Sequence, residues 1–475
     1  MKLLTRLKPL HSIIAGIVSR SSGQLVALAV TLASVSQLSP ATFGIFAIAS
    51  AVISMIRALM YVGTFQLIIQ AENAALVSRG ALYVNLLVSA LLSALALTII
   101  SALPGESNAE IRDFVSLLVP TVFLSAVAAW QEAQIIRSKR IYAYYYATIV
   151  VEVISGATAI ILLLMGYGLH ALVAQIYIRS TMIIIAYRVL HRPQFARGNQ
   201  HRTLTDIFRW CSPQYISAVI GQVTSYAPEF LIGALISPAA TGIYRAANRV
   251  VSAAGDVCGQ PLKIIALSKF GSLVARNEDP SRAYHDVLAV TLLLTSTFLS
   301  ALAVVSEPLV ALIADDAWSG VTGVTAALCI GRFFSVVSAV SSPLLVAQGK
   351  QKVLVPLQFI ATSSLVLGLI VFAGLGIEWA TTVVVFSSIV GASLTVFACL
   401  KFGGETSMNA MLDVVYFILP ASAASIAAVL STLTTVESVE LVLRLVTQLV
   451  IFTLVWIAGA FVLRKRILSV IGVLR

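Results

Sequence analysis

Charge is scarce in this 475-residue chain: 11% of the residues are charged, against 59% hydrophobic. A soluble domain of this size with that balance would lack a charged surface, so a water-soluble globular fold is excluded. Cysteine is scarce too. Cys211, Cys258, Cys329 and Cys399 lie within or at the ends of apolar segments, without the paired spacing that a metal or redox site needs, and read as small core residues. Long polar stretches are missing as well. The longest, 191–208, is basic and poor in apolar residues, so no soluble domain is left to carry enzyme chemistry. Scattered acids between the apolar segments, Glu106, Asp113, Glu307 and Glu437 among them, read as solvated helix ends. No cofactor motif and no metal-ligand cluster is present.

In place of these the chain has about fourteen apolar stretches of roughly 20 residues, each long enough to cross a ~30 Å hydrocarbon core as a helix. They run over 13–37, 42–70, 80–103, 114–137, 141–165, 168–190, 209–236, 240–268, 285–305, 320–347, 353–375, 379–400, 411–431 and 441–463. The expected fold is an all-α integral membrane protein. The first stretch follows Lys2, Arg6 and Lys8 as a signal peptide would, but it contains Arg20 and no convincing small-residue cleavage site, and reads as a retained helix. If the N-terminus is cytoplasmic, most lysines and arginines fall on the inner side and only Arg112 and Arg444 face out. That bias places both termini in the cytoplasm. The net charge of +11 is then mostly topological and implies no nucleic acid.

An internal repeat divides the chain. Residues 21–52 align without a gap with 219–250: Gly23, Gln24, Ala29, Ser39, Pro40, Ala41, Gly44, Ile45, Ala49 and Val52 recur as Gly221, Gln222, Ala227, Ser237, Pro238, Ala239, Gly242, Ile243, Ala247 and Val250. Both copies start on the same side, so two parallel six-helix lobes are expected, an arrangement in which transporters place a site between lobes near the midplane. The expected domains are an N-terminal lobe (1–190), a basic linker (191–208), a C-terminal lobe (209–400) and an additional helix pair with a basic tail (401–475).

Cations inside apolar segments carry the functional information, because charge is expensive there. They are Arg20, Arg57, Arg179, Arg245, Arg249, Lys263 and Arg332, with Glu152 and Asp256 as anions among them. At 100° per residue Arg245, Arg249, Ser252, Asp256, Gly259 and Lys263 fall within about 80° of one another. This stripe reads either as an interhelical ion-pair network, for instance Arg245 with Glu229, or as the wall of a hydrated cavity. In the repeat partner, Ser50, Ser54, Arg57, Tyr61 and Thr64 share a face. Glu152 and Arg179, at similar depth on consecutive segments, read as an ion pair or as ligand contacts. Arg57 and Arg332 have no carboxylate at their depth except Asp256, and an anion is the natural partner because the guanidinium fork holds phosphate through two hydrogen bonds. Gln24 and Gln222 serve either close packing or substrate hydrogen bonding. Tyr142, Tyr144, Tyr145 and Tyr146 read as an interfacial belt rather than a sugar platform, and Pro213 and Pro228 as possible kinks.

The segment LSPATFGIFAIASAVISMIRALMYVGTFQLIIQ (38–70) resembles the second-helix signature of the polysaccharide transporter family: a proline shortly before FG, a small-residue helix, a glycine and a closing glutamine. With the span count and the basic excess, the chain is similar to Wzx-type lipid-linked oligosaccharide flippases of the multidrug/oligosaccharidyl-lipid/polysaccharide exporter superfamily. It is less similar to peptidoglycan-precursor flippases, whose arginine-rich first helix is represented here by Arg20 alone. The resemblance implies a non-enzymatic transporter of the bacterial cytoplasmic membrane with a cationic cavity (Arg57, Arg245, Arg249, Asp256, Lys263, Arg332, Gln24 and Gln222). It implies a polyprenyl-diphosphate-linked oligosaccharide as substrate, membrane lipids as surroundings, and a polysaccharide polymerase and chain-length regulator as partner candidates. The alternatives are a multidrug or ion-coupled antiporter of the same superfamily, expected to have about twelve spans and an acidic cavity, and a membrane polymerase or ligase, expected to have a large catalytic loop.

Overall fold

The computed structural model describes residues 22–61, 63–71, 74–102, 106–191, 204–402, 415–434 and 441–464. Arg20, most of the basic linker and the basic C-terminal tail lie outside them. Among the described residues every regular element is a helix, as hydrocarbon demands of apolar runs whose backbone groups must be satisfied internally. Helix α1 covers 22–37, followed by α2 (Pro40–Tyr61), α3 (Thr64–Gln70), α4 (Ala74–Ala102), α5 (Glu106–Arg137), α6 (Ile141–Leu164) and α7 (Leu169–Leu190). Then come α8 (Leu204–Leu235), α9 (Pro238–Ala275), α10 (Ser281–Ile313), α11 (Gly320–Ala347), α12 (Leu354–Phe372), α13 (Ile377–Phe402), α14 (Leu419–Thr434) and α15 (Leu441–Val462).

Where they are described, the expected apolar segments are mainly helical, yet among the described residues 11 stretches are long and apolar enough to cross a membrane, α2 and α3 counting as one. The difference from about fourteen lies in α1, described over 22–37, in the short α14, and in α8, whose apolar run is diluted by Gln222, Thr224, Ser225, Tyr226 and Glu229. Helix α8 continues through Pro213 and Pro228 without interruption. Large apolar side chains on the outer helices stay exposed, Leu454 and Phe461 at 62% each and Leu367 at 63%, which is the surface a lipid-facing helix presents.

The chain forms two compact units, 1–245 and 246–475. In the first, α5 packs against α2, α4 and α7. The first two turns of α9 also belong to this unit, and they meet α2 through equivalent positions of the repeat. A Cβ on Gly44 would collide with the Pro238 carbonyl, and one on Gly242 with the Pro40 carbonyl. The Ser39 hydroxyl accepts from the Thr42 amide (3.2 Å), as Ser237 does from Ala240 (3.1 Å), so each serine caps a helix that proline opens. Much of the repeated sequence therefore encodes a reciprocal backbone crossing.

The second apolar segment is broken. Gly63 has φ 90, a conformation that favours glycine, and its amide donates to Gln66 Oε1 at 2.8 Å. A Cβ there would also strike Cys211. Thr64 opens α3 and does not continue the face of α2, which corrects the expected stripe of Ser50, Ser54, Arg57, Tyr61 and Thr64 at its last member. The end of α3 is closed by Arg137, whose Nη1 donates to the carbonyls of Ile68 (2.9 Å), Ile69 (3.1 Å) and Ala71, groups that a helix leaves unsatisfied at its C-terminus.

In the second unit α11 packs on α10 and α13 over a core that includes Phe270, Tyr284, Leu288, Val340 and Leu344. Helices α14 and α15 pack on each other and on α10, where Trp456 Nε1 donates to Thr297 Oγ1 at 2.8 Å. Cys211, Cys329 and Cys399 are free and buried; the side chain of Cys258 lies outside the described set.

Candidate functional site

The first unit holds Arg57, Glu152, Arg179 and Arg245 of the charged candidates, and the structure sorts them by partner. Arg245 is buried: Nη1 binds Glu229 Oε2 at 2.6 Å and the Ala47 carbonyl at 2.9 Å. Ala47 is its own repeat equivalent, so this guanidinium fastens the crossing of α2 and α9. Arg179 on α7 reaches Glu152 on α6, Nη2 to Oε1 at 2.5 Å, with 51% of the arginine side chain exposed against 13% of the glutamate. One carboxylate therefore engages only part of a guanidinium with five donors.

Arg57 differs from both. It sits on α2 within the broken apolar segment, donates from Nη2 to Thr121 Oγ1 of α5 at 2.7 Å, and makes no ion pair among the described residues. Its buried Nε has no hydrogen-bond partner. Arg179 lies within electrostatic reach of Arg57, so two guanidiniums and a single paired carboxylate share this region. Chemically such an arrangement suits an anion: a cation that would repel its neighbour becomes favourable when a negatively charged group takes the free donors.

In the second unit Arg332 of α11 pairs with Asp256 of α9, and its aliphatic stem packs against Gly255. The stripe on α9 is thereby divided. Arg245 is buried in its pair, Asp256 is neutralised by Arg332, Gly259 is packed under Val336, and Arg249 and Lys263 are exposed. The stripe expected to share one environment meets several because helix crossings bury some of its positions and leave others open. Gln24 and Gln222 are each half-buried.

One polar cluster was missed from the sequence. Glu132 of α5 accepts hydrogen bonds at Oε1 from Tyr61 Oη (3.0 Å) and Tyr144 Oη (2.8 Å), and Tyr144 lies 5.7 Å from Tyr187 between ring centroids. Tyr144 is thus turned inward, in place of the expected belt position, while Tyr142 and Tyr146 are exposed. The available signal is a carboxylate within the apolar segment 114–137, close to its basic end. Among the described residues no group of three or more His, Cys, Asp or Glu side chains could hold a metal ion.

Known proteins resemble this chain in sequence and in fold. A succinoglycan biosynthesis transport protein, ExoT of Rhizobium meliloti (strain 1021), is 24% identical over 325 residues, covering 67% of this chain and 65% of that protein, so the match spans just under two thirds of the relative's length. Among solved structures, an inward-closed lipid II flippase, MurJ, superposes with a TM-score of 0.77 at 14% identity, covering 96% of this chain and all of that one. An inward-facing multidrug transporter of the MATE family and MOP superfamily gives 0.63 at 15% identity over 83% of this chain and 95% of its own. At those identities the likeness establishes a shared transporter fold. The model of the polysaccharide biosynthesis protein family matches residues 37–323, more than half of the chain and inclusive of both repeat copies' proline–glycine signatures, and the protein belongs to that family of multi-pass membrane proteins.

Proposed function

We propose that the protein is a flippase that carries a polyprenyl-diphosphate-linked oligosaccharide across the cytoplasmic membrane for cell-surface polysaccharide synthesis, by alternating access. The observation that supports this most is Arg57: an intramembrane guanidinium with no carboxylate partner among the described residues, a buried Nε without a hydrogen bond there, and Arg179 in electrostatic reach. A diphosphate with about two negative charges and a sugar cannot enter hydrocarbon unaided, and cations lining a hydrated path lower that barrier while the polyprenyl chain stays in lipid. Family membership and the transport protein of Rhizobium meliloti support the same substrate class.

The other candidates take graded roles. Arg249, Lys263 and Arg332 with Asp256 are substrate contacts of the second unit, Gln24 and Gln222 offer neutral hydrogen bonds, and Arg245 holds the helix crossing. Both termini face the cytoplasm, as the lysine and arginine bias requires. Glycan polymerase and chain-length regulator are the protein partners on this reading. A cation antiporter is the weaker reading because three intramembrane carboxylates, Glu152, Glu229 and Asp256, are each in contact with an arginine, leaving Glu132 as the one named here that is not.

The experiment is a leaflet assay in cells. Deletion should accumulate lipid-linked saccharide on the inner leaflet, and the wild-type chain should restore its export whereas Arg57→Ala, at equal abundance, should not. An unchanged leaflet distribution after deletion would remove the proposal.

A further inference from the structure

We infer that Glu132 is a proton-binding site whose occupancy is linked to that of the anion site at Arg57 and Arg179. The linkage rests on the anion reading above; the proton site does not. Glu132 lies five residues before Arg137 at the end of α5, about 7 Å along the helix axis, inside an apolar span. Glu152, Glu229 and Asp256 each have an arginine in contact. Glu132 has none among the described residues, and its hydrogen bonds come from two neutral phenols, Tyr61 Oη and Tyr144 Oη, both on Oε1.

The groups facing it are Tyr61 from α2, Tyr144 from α6, and Tyr187 and Arg179 from α7. The α4 side offers this end of α5 the hydroxyl of Ser78, and Asn85 is turned to Thr64 of α3. A carboxylate in an apolar span whose hydrogen bonds come from two phenols has an ionised form held by those hydroxyls and a neutral form open to it on taking up a proton.

Arg179 supplies the coupling. It contacts Glu152 and lies in electrostatic reach of both Glu132 and Arg57. When an anion takes the free donors of Arg179, the field of that cation at Glu132 is offset and a negative charge is added nearby. A proton then passes from hydronium in the adjoining water to the Glu132 carboxylate, breaking one O–H bond, forming another and cancelling one unit of the added charge. By reciprocity, acid strengthens anion binding. The competing account makes Glu132 a structural tie between α2, α5 and α6. Glu132→Gln separates the two, since the amide oxygen still accepts from both tyrosines but takes up no proton.

The test uses the purified full-length protein in lipid, with two readouts. In pH-difference infrared spectra between about pH 5 and about pH 9, the wild type should show a protonated-carboxyl C=O band that Glu132→Gln lacks and Glu132→Asp retains. Binding of farnesyl diphosphate should tighten on acidification more steeply in the wild type than in Glu132→Gln, by up to about tenfold per pH unit. Comparing the two proteins removes the probe's own ionisation. An infrared difference identical in wild type and Glu132→Gln overturns the proton site, and equal pH slopes of binding overturn the linkage. If the band is lost in Glu132→Gln while the wild type binds no farnesyl diphosphate, the proton site stands and the anion reading fails.

Discussion

Arg57 and Arg245 are both arginines on apolar helices of the first unit, and their surroundings could hardly differ more. Arg245 is 7% exposed, spends one nitrogen on Glu229 and a carbonyl, and joins helices related by the repeat. Arg57 has a hydroxyl for a partner and an orphaned Nε. A charge inside a membrane protein is thus no single kind of signal. Arg245 has its counter-ion in contact and serves the architecture, whereas on the proposed reading Arg57, with none among the described residues, serves a ligand.

The sharpest way to break the comparison is at the crossing itself. Gly44→Val places a side chain where the Pro238 carbonyl lies, and rigid backbone on both sides leaves no room to yield. Membrane abundance of the folded protein should collapse, as judged by detergent-solubilised size exclusion; normal abundance would mean that the crossing is not needed for folding.

Next in size, Arg245→Ala should lower stability by about 3–5 kcal/mol because Glu229 is left buried without its counter-ion. Replacing the pair together, Arg245→Met with Glu229→Gln, should recover much of that loss in thermal unfolding. Arg57→Ala should leave the unfolding temperature near the wild-type value and abolish export. If the two single variants behave alike in stability, the distinction between structural and ligand-directed arginine is wrong.

Arg179 and Glu152 give a smaller and intermediate effect, since half of the arginine is exposed and solvent screens the pair. Glu152→Gln should cost little abundance, and Arg179→Ala should reduce export more than it reduces abundance. Recovery of export by the exchange Glu152→Arg with Arg179→Glu would instead mark the pair as purely structural. Smallest of all, Arg332→Lys should keep the contact with Asp256 but lose the planar fork, so export falls partially where Arg332→Ala falls further.

Much of the fold was legible because apolar runs separated by basic turns leave few alternatives to membrane helices. The repeat was legible as well, but its meaning was not: Gly44, Gly242, Pro40 and Pro238 match because backbones cross there, and no periodicity reveals a contact between helices distant in sequence. Glu152 with Arg179 could be named as candidate partners from their depth alone. Glu132 could not, since its significance depends on phenols arriving from α2 and α6, and the break at Gly63 depends on a local conformation that the apolar pattern runs straight through. The polar stripe on α9 was legible in part, its Arg245–Glu229 pair included, and the rest was not for a related reason: helical periodicity states which residues share a face, while neighbouring helices decide which part of that face is covered.

Farnesyl diphosphate binding to the full-length protein, with farnesol as the uncharged control, tests the central claim most directly. The wild type should bind the diphosphate and not the alcohol, and Arg57→Ala should weaken binding by about tenfold to a hundredfold, the worth of charge-assisted hydrogen bonds of roughly 1.5–3 kcal/mol, with the unfolding temperature unchanged. Equal affinity for farnesol and farnesyl diphosphate, or an Arg57→Ala variant that binds the diphosphate as well as the wild type does, would contradict the account.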